Sequence, residues 1–167
     1  MAASAFKTDD EPESEGASLT AYVELLHAVE RAQRQLHDTV AHEMTRAEEA
    51  DITAVQAMLL FHLGDERLTA AEIMQSGRYL GSNVSYNLKK LNEAGRLETT
   101  REDGKGAPRF GVTDSGRSIQ VRLWALFRRQ RDALKPVCSL DEDAVTSTEA
   151  ALKKLERYWL DQVRYRL

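Results

Sequence analysis

The chain from residue 81 to residue 95 combines side chains that could contact both the bases and the phosphates of DNA. Its polar residues are hydroxyls, an amide, a phenol and two cations: Ser82, Asn83, Ser85, Tyr86, Lys89 and Lys90. Amides and hydroxyls can donate to and accept from base edges, whereas lysines neutralise phosphates. An ordinary surface helix would also carry a polar outer face, so the neighbouring segments must decide between the two interpretations.

These polar residues need a helix to present them, and the same stretch predicts one. Ser82 or Asn83 can serve as its N-cap, and Gly95 can take the left-handed turn that ends a helix. The apolar residues recur at i, i+4 and i+7: Val84, Leu88 and Leu91. This stripe predicts one buried face and leaves the polar residues on the outside.

A second short helix should precede this one. Thr69 and Glu72 have the spacing of a capping box, in which each side chain satisfies an exposed backbone amide of the first turn. The helix that they open should end near Gly77. Two short helices with a brief connection form a helix-turn-helix.

A β-hairpin should follow. Residues 97–101 and 109–113 are rich in β-forming residues and flank a loop that contains glycine and proline. The hairpin carries three cations: Arg101, Lys105 and Arg109. A helix-turn-helix followed by a basic hairpin is a winged helix, whose helix suits the major groove and whose wing arginine suits the minor groove. The alternative is a small structural hairpin with solvated charges.

Long amphipathic helices should flank this central region. The apolar residues between 19 and 46 recur with a helical period. A helix of this length, roughly 40 Å, is longer than a small domain can cover, so part of it should contact another chain. Asp51 or Thr53 should cap the next helix, which is apolar on more than one side and therefore central in the core. Gly64 should end it.

The chain should finish with two further helices. Asp114 or Ser115 should cap the first, which Pro136 should stop near Leu134, because the residue before a proline avoids helical geometry. The second should span residues 143–165.

The formal net charge of −4 does not exclude DNA, because the acidic excess lies in the first residues. Between Arg78 and Arg109 there are seven cations against four acids, and between Gly116 and Pro136 there are six cations against one acid. Local charge decides attraction to a polyanion, since salt screens charges beyond roughly 8–10 Å.

Several other classes of protein lack support in the sequence. No apolar run approaches the roughly 20 residues of a membrane span, and no signal peptide is expected, so the protein should be cytoplasmic. Cys138 is the only cysteine, which excludes an internal disulfide. The histidines lack the spacing of metal ligands: His27, His37, His42 and His62. We expect no metal and no cofactor.

The order of elements from residue 19 to residue 167 resembles the MarR family of bacterial transcription regulators. The segments that carry the resemblance are 52–60, 68–73, 83–95 and 112–116, which look like the second, third and recognition helices and the strand end after the wing. The resemblance places DNA contacts at Ser82, Asn83, Ser85, Tyr86 and Lys90, and a wing contact at Arg109.

The sequence departs from the family pattern at two positions. Family members usually have an acidic residue shortly before the wing cations, and this acid steadies the wing arginine. Here no acid stands in that place near Arg109. Tyr86 stands where many members have arginine, so bidentate recognition of guanine is not available there. A contact to an A·T pair through Asn83 is the better prediction.

The resemblance also implies a homodimer held by the first and the last two helices, and a small-molecule effector pocket beside the winged helix. The apolar positions assigned to the dimer interface are Leu26, Val29, Leu152, Leu155, Trp159 and Val163.

The predicted fold is mainly α with a small β-hairpin wing, a winged helix-turn-helix between long N- and C-terminal dimerisation helices. The regions are a disordered acidic tail (1–17), an N-terminal dimerisation helix (18–50), a winged helix-turn-helix DNA-binding region (51–115) and C-terminal dimerisation helices (116–167). The tail is expected to be disordered because it has too little apolar surface to offset its ordering entropy.

These observations predict a dimeric, sequence-specific DNA-binding regulator that represses from a pseudo-palindromic operator and is released by an effector. The alternative is a dimeric sensor or protein-interaction module that has lost or reduced its DNA binding, for which the altered wing is the support. An enzyme is the weakest interpretation, because no phosphate-binding glycine loop, metal-ligand spacing or nucleophile arrangement is present in the sequence.

Overall fold

The computed structural model describes residues 11–49, 51–76, 83–101 and 106–165, with side chains from residue 18 onward. Its elements are α1 (Glu11–Arg46), α2 (Ala54–Leu63), β1 (Leu68–Thr69), α3 (Ala70–Gln75), α4 (Val84–Glu93), β2 (Leu97–Thr100), β3 (Arg109–Val112), α5 (Asp114–Cys138) and α6 (Glu142–Tyr165). The mainly α fold with a small hairpin is confirmed. The chain divides into two compact units, Met1–Gln120 and Val121–Leu167.

The first helix begins earlier than predicted. Residues 11–17 belong to α1, so the prediction of a disordered tail is wrong for them, while residues 1–10 lie outside the described part of the chain. A proline in the first turn costs no helical hydrogen bond, so Pro12 is compatible with this start. The C-terminal part of α1 buries Val40 and Met44 where the helix packs on α2.

Helix α2 is the centre of the first unit, as its composition predicts. Thr53 is the N-cap, and its capping box is completed by Gln56, whose side-chain oxygen accepts the Thr53 N–H at 3.0 Å. Gln56 itself is buried, together with the apolar residues Ala57, Leu59, Leu60 and Leu63. The capping box explains how a polar side chain is tolerated in this apolar helix.

The sheet contains a strand that the sequence did not reveal. The strand order of the sheet is β1-β3-β2, and both strand pairs are antiparallel. The predicted hairpin joins β2 and β3, with Leu97 opposite Val112, while Leu68 of β1 lies opposite Phe110. Strand β1 has only two residues, which is too short a segment to show the alternation of a strand in the sequence, and its partner strand is distant in the chain.

The turn into α5 is capped by Thr113 rather than by Asp114 or Ser115. Its hydroxyl accepts the Gly116 N–H at 3.2 Å and donates to the Gly95 carbonyl at 2.7 Å. A Cβ on Gly116 would overlap the Arg96 carbonyl oxygen and lie 2.8 Å from Cγ1 of Val112. The residue at 116 must therefore be small enough to let the start of α5 lie against the segment before β2.

Replacing Gly116 with alanine should lower the free energy of unfolding by about 1–3 kcal/mol, because the added methyl overpacks a backbone contact. Helix propensity alone predicts the opposite sign, a gain of up to about 1 kcal/mol. Urea unfolding followed by circular dichroism measures the difference. Ser118→Ala, at an exposed position of the same helix, is the control and should change stability by less than about 0.5 kcal/mol.

Helix α5 continues past the position where Pro136 was predicted to stop it, and it ends at Cys138, whose thiol is exposed. Only the last turn follows the proline, so few helical hydrogen bonds are affected. Ser139 ends the helix in a left-handed conformation (φ 57) and donates to the Lys135 carbonyl at 3.1 Å. Three apolar residues of α5 are buried: Ile119, Leu123 and Leu126.

Helix α6 differs from the others because none of its described residues is buried. Its apolar residues nevertheless recur with a helical period and include Leu152, Leu155, Trp159 and Val163. Within the described ranges, no helix is both long and apolar enough to cross a bilayer.

Candidate nucleic-acid interface

The predicted buried stripe anchors α4 in the first unit. Val84, Leu88 and Leu91 are 4%, 1% and 0% exposed, and the helix packs on α3 and β2. Gly95 adopts the expected left-handed conformation (φ 67), which lets Arg96 N–H donate to the Leu91 carbonyl at 2.8 Å. One face of α4 is therefore fixed, and the other faces outward.

The outward face carries the predicted polar residues. Those that the structure describes are all exposed: Asn83, Ser85, Tyr86, Lys89 and Lys90. Ser82 lies outside the described residues. Asn83 occupies the N-cap position, but its side chain makes no capping hydrogen bond, so the amide is not committed to the helix end. The prediction of Asn83 as the N-cap residue is confirmed, but the predicted hydrogen bond from its side chain to the first turn is not formed.

A pair of amide hydrogen bonds, which sequence reasoning missed, supports the N-terminus of α4 and runs from the buried Gln56 to the exposed Asn83. Gln56 Nε2 donates to Asn87 Oδ1 at 3.3 Å, and Asn87 Nδ2 donates to the Asn83 carbonyl at 3.2 Å. These two bonds connect the capping box of α2 to the first turn of α4. A buried glutamine in an apolar helix was the available signal, because buried amides need partners.

The two lysines share one carboxylate. Lys90 Nζ lies 3.1 Å from Glu93, Lys89 Nζ lies 3.8 Å from the same side chain, and Lys90 Nζ is 6.0 Å from the centre of the Tyr86 ring. The hydrogen bond to Glu93 raises the pKa of Lys90, and the bond from Lys90 lowers the pKa of Glu93. Both groups are therefore charged at neutral pH, and Glu93 offsets one of the two cations.

Of the three cations predicted for the wing, the structure describes Arg101 and Arg109, and their surroundings differ. Arg101 follows β2 and is exposed, whereas Lys105 lies outside the described residues. Arg109 begins β3 at the loop end of the hairpin, where its guanidinium forms an ion pair with Glu72 of α3 at 3.4 Å. An acid from another element therefore pairs with this arginine, which the sequence could not show.

Comparison with known proteins also indicates a DNA-binding protein. A family model described as a winged helix DNA-binding domain matches residues 52–116. The Exopolysaccharide II synthesis transcriptional activator ExpG of Rhizobium meliloti (strain 1021) is 30% identical over 149 residues, which cover 89% of this chain and 76% of that protein.

Two solved structures from Staphylococcus aureus share the fold at low sequence identity. The MepR–DNA complex has a TM-score of 0.63 and 20% identity, and it covers 80% of this chain and 96% of its own. MarR in complex with salicylate and kanamycin has a TM-score of 0.69 and 12% identity, and it covers 86% of this chain and 95% of its own. The chain belongs to the MarR family. It is a DNA-binding transcription regulator of the winged helix type.

One cation of this MarR-family chain is part of its interior. Arg96 counts toward the positive charge of residues 78–109, but its guanidinium pairs with Glu49, and the two side chains are only 15% and 16% exposed. Arg96 Nη1 also donates to the hydroxyl of Ser115 at 2.7 Å. Arg96 therefore joins the loop before α2 to the start of α5.

The apolar residues assigned to a MarR-type dimer interface remain at least partly exposed in the single chain. Leu26 and Val29 of α1 and Leu155 of α6 are half-buried. Leu152, Trp159 and Val163 are 41%, 36% and 81% exposed. Among the described residues, no three His, Cys, Asp or Glu side chains come together as metal ligands would.

Proposed function

We propose that the protein acts as a homodimer that binds a pseudo-palindromic operator, with α4 of each subunit in the major groove and the wing beside it. The observation that carries this proposal is the division of α4 into a buried apolar stripe and an exposed face of amide, hydroxyl and ammonium groups. Two such helices related by symmetry would read half-sites about one helical turn, roughly 10 base pairs, apart. We infer a cytoplasmic location from this proposed DNA target.

The residues that we assign to the DNA interface divide by chemistry into base contacts and phosphate contacts. Asn83 can donate to and accept from adenine together, so we assign it to an A·T pair. Ser82, Ser85 and Tyr86 complete the groove-facing set, and the remaining contacts, through Lys89, Lys90, Arg101 and Lys105, are to phosphates. Glu93 weakens the attraction of α4 to phosphates, because its negative charge lies close to both lysines of the helix.

Exposed apolar surface on the long helices supports the homodimer. Helix α1 has 36 residues, which is roughly 54 Å at 1.5 Å per residue, and its N-terminal half exposes Leu19, Tyr22 and Val23. A helix with an apolar stripe that its own chain leaves exposed is typical of an interface.

The direction of regulation depends on where the operator lies relative to the promoter. Repression was the expectation from the sequence, whereas the Rhizobium meliloti relative is named as an activator. A dimer bound over the promoter blocks polymerase, and the same dimer bound upstream can assist it. Transcription in vitro from a template with the operator in its natural position distinguishes the two outcomes.

Release by a small molecule is the second part of the proposal. The Staphylococcus aureus MarR structure contains salicylate and kanamycin, which shows that a protein of this fold can hold small ligands. A ligand that favours a dimer with wrongly spaced recognition helices lowers operator affinity by its differential affinity for the two states.

The decisive experiment is a selection of bound fragments from genomic DNA followed by a binding titration across salt concentrations. Neutralised phosphates release counterions, so a DNA-binding dimer gives a steep decrease of log K with log salt. A protein-interaction module that has lost DNA binding would enrich no sequence and would show no such dependence.

Replacing Asn83 with alanine should lower affinity for the selected operator by roughly 1–3 kcal/mol and affinity for random DNA far less. The fold should be unaffected, since this side chain makes no capping bond. Fluorescence anisotropy with both DNAs measures the two losses. Equal losses on operator and random DNA would make Asn83 a backbone contact.

Replacing Val163 with lysine should raise the dimer dissociation constant by roughly tenfold or more, because a charge would enter an apolar interface. The side chain is 81% exposed in the single chain, so the monomer should fold normally. Sedimentation equilibrium measures the constant. Val145→Lys, on the same helix but outside the predicted interface, is the matched control, and equal behaviour of the two variants would place the interface elsewhere.

A further inference from the structure

The carboxylate of Glu72 joins the first turn of α3 to the hairpin at Arg109, the strand residue next to the hairpin loop. Its Oε2 accepts the Thr69 backbone N–H at 2.7 Å, which completes the capping box. Arg109 approaches the same carboxylate with both terminal nitrogens, Nη2 at 3.4 Å from Oε1 and Nη1 at 3.4 Å from Oε2. Nη1 also donates to the Arg67 carbonyl at 2.8 Å. One guanidinium therefore binds two separate segments of the chain.

Arg109 lies where the wing meets the rest of the sheet. It is the first residue of β3, and its Cα is paired with Thr69 of β1 on one side and with Thr100 of β2 on the other. A two-stranded hairpin is marginally stable by itself, so the direction of the wing depends on what holds its strands beside the loop. Because α3 packs on α4, the pair of Glu72 and Arg109 connects the wing to the recognition helix.

We propose that Arg109 is a positioning residue, which holds the wing in a fixed orientation to α4 through Glu72 instead of contacting DNA itself. This inference rests on the proposed DNA binding. A guanidinium that turned toward a phosphate would give up a carboxylate and a carbonyl, and it would leave the Glu72 anion unpaired beside the phosphates. A wing that is fixed in advance loses less conformational freedom on binding.

The pair can have this role without being important for folding. The side chains of Arg109 and Glu72 are 37% and 41% exposed, and exposed ion pairs contribute little to stability. The N–H of Thr69, its hydroxyl and, to a smaller extent, Arg109 hold the pKa of Glu72 below its ordinary value. The carboxylate is therefore charged at neutral pH.

Glu72→Gln is the sharpest test, because positioning and simple electrostatics predict opposite signs. Glutamine keeps the capping box, so the helix should remain intact. Removing an acid near DNA should strengthen binding if charge alone matters. The positioning role instead predicts roughly three- to fivefold weaker binding to the selected operator, the factor that an exposed ion pair can supply.

Two changes at Arg109 complete the test. Arg109→Gln should weaken binding by a similar factor, and the double variant Glu72→Gln/Arg109→Gln should be no weaker than either single variant, because both remove one interaction. Arg109→Lys keeps the charge but loses the fork that reaches Glu72 and the Arg67 carbonyl, so it should not restore affinity. Direct contact with a phosphate predicts the reverse, a lysine that restores binding.

The control is Glu66→Gln, which makes the same charge change at an exposed position just before Arg67 and should leave affinity equal or slightly higher. Thermal unfolding should show all variants folded. Unchanged or tighter operator binding by Glu72→Gln, together with a salt slope reduced by about one in Arg109→Gln, would overturn the inference alone. Failure of the unmodified chain to bind any operator would instead refute the proposed function and this inference with it.

Discussion

Replacing Arg96 with alanine should lower the free energy of unfolding by about 2–4 kcal/mol, somewhat below the cost of removing one member of a fully buried ion pair, because this pair is only partly buried. Glu49 would be left 16% exposed without its cation, and the hydroxyl of Ser115 would lose its donor. Urea unfolding of the two proteins measures the difference. A loss below about 1 kcal/mol would show that the site rehydrates and that the pair is not important for the fold.

A double variant separates the penalty of the unpaired charge from the contribution of the pair. Glu49→Leu/Arg96→Met removes both charges and fills the space, so it should be more stable than Arg96→Ala, since apolar residues often replace buried pairs without loss. Arg96→Lys should be intermediate, because one ammonium cannot reach both Glu49 and Ser115. A double variant as unstable as Arg96→Ala would show that lost packing, and not the unpaired Glu49, is the cause.

The consequence for DNA binding follows from where Arg96 lies. Counted by sequence, it is one of the cations around α4, yet its guanidinium is directed at Glu49 and Ser115 within the first unit. Operator affinity per folded molecule should therefore be unchanged in Arg96→Lys. Local charge counted along a sequence overestimates the charge that is available to phosphates.

The sequence predicted those parts of the site whose cause is local. The capping box of Thr69 and Glu72 and the stripe of Val84, Leu88 and Leu91 depend on spacings within one helix, and the structure confirms both. The hairpin was predicted for the same reason, because its turn and alternation are contiguous.

The contacts that the sequence missed join residues far apart in the chain. Arg96 and Glu49 are separated by 47 positions, and Arg109 and Glu72 by 37. Nothing in a single sequence marks which of several acids a given arginine will meet. The strand β1 was missed for a related reason, since its two residues are defined by their pairing with β3.

Glu93 shows how the charge of a recognition helix is limited. An acid in the last turn opposes the helix dipole, yet here it lies within 3.1 Å of Lys90 and 3.8 Å of Lys89. DNA phosphates must compete with this carboxylate for the two lysines, so the sequence-independent part of the binding free energy is weakened. Relative to two unopposed lysines, this arrangement leaves more of the affinity to base contacts such as the one assigned to Asn83.

Leu88→Ala should lower the free energy of unfolding by about 2–5 kcal/mol, because the side chain is 1% exposed and its removal leaves a cavity beneath the recognition helix. The neighbouring residue gives the matched comparison: the side chain of Lys89 is 73% exposed, so Lys89→Ala should change stability by less than about 0.5 kcal/mol. The DNA results should show the opposite order. At a temperature where Leu88→Ala is folded, its salt slope should equal that of the unmodified chain, whereas the slope of Lys89→Ala should fall by about one. If both variants lost stability equally, α4 would not be divided into a buried and an exposed face, and the interface proposed on that division would be wrong.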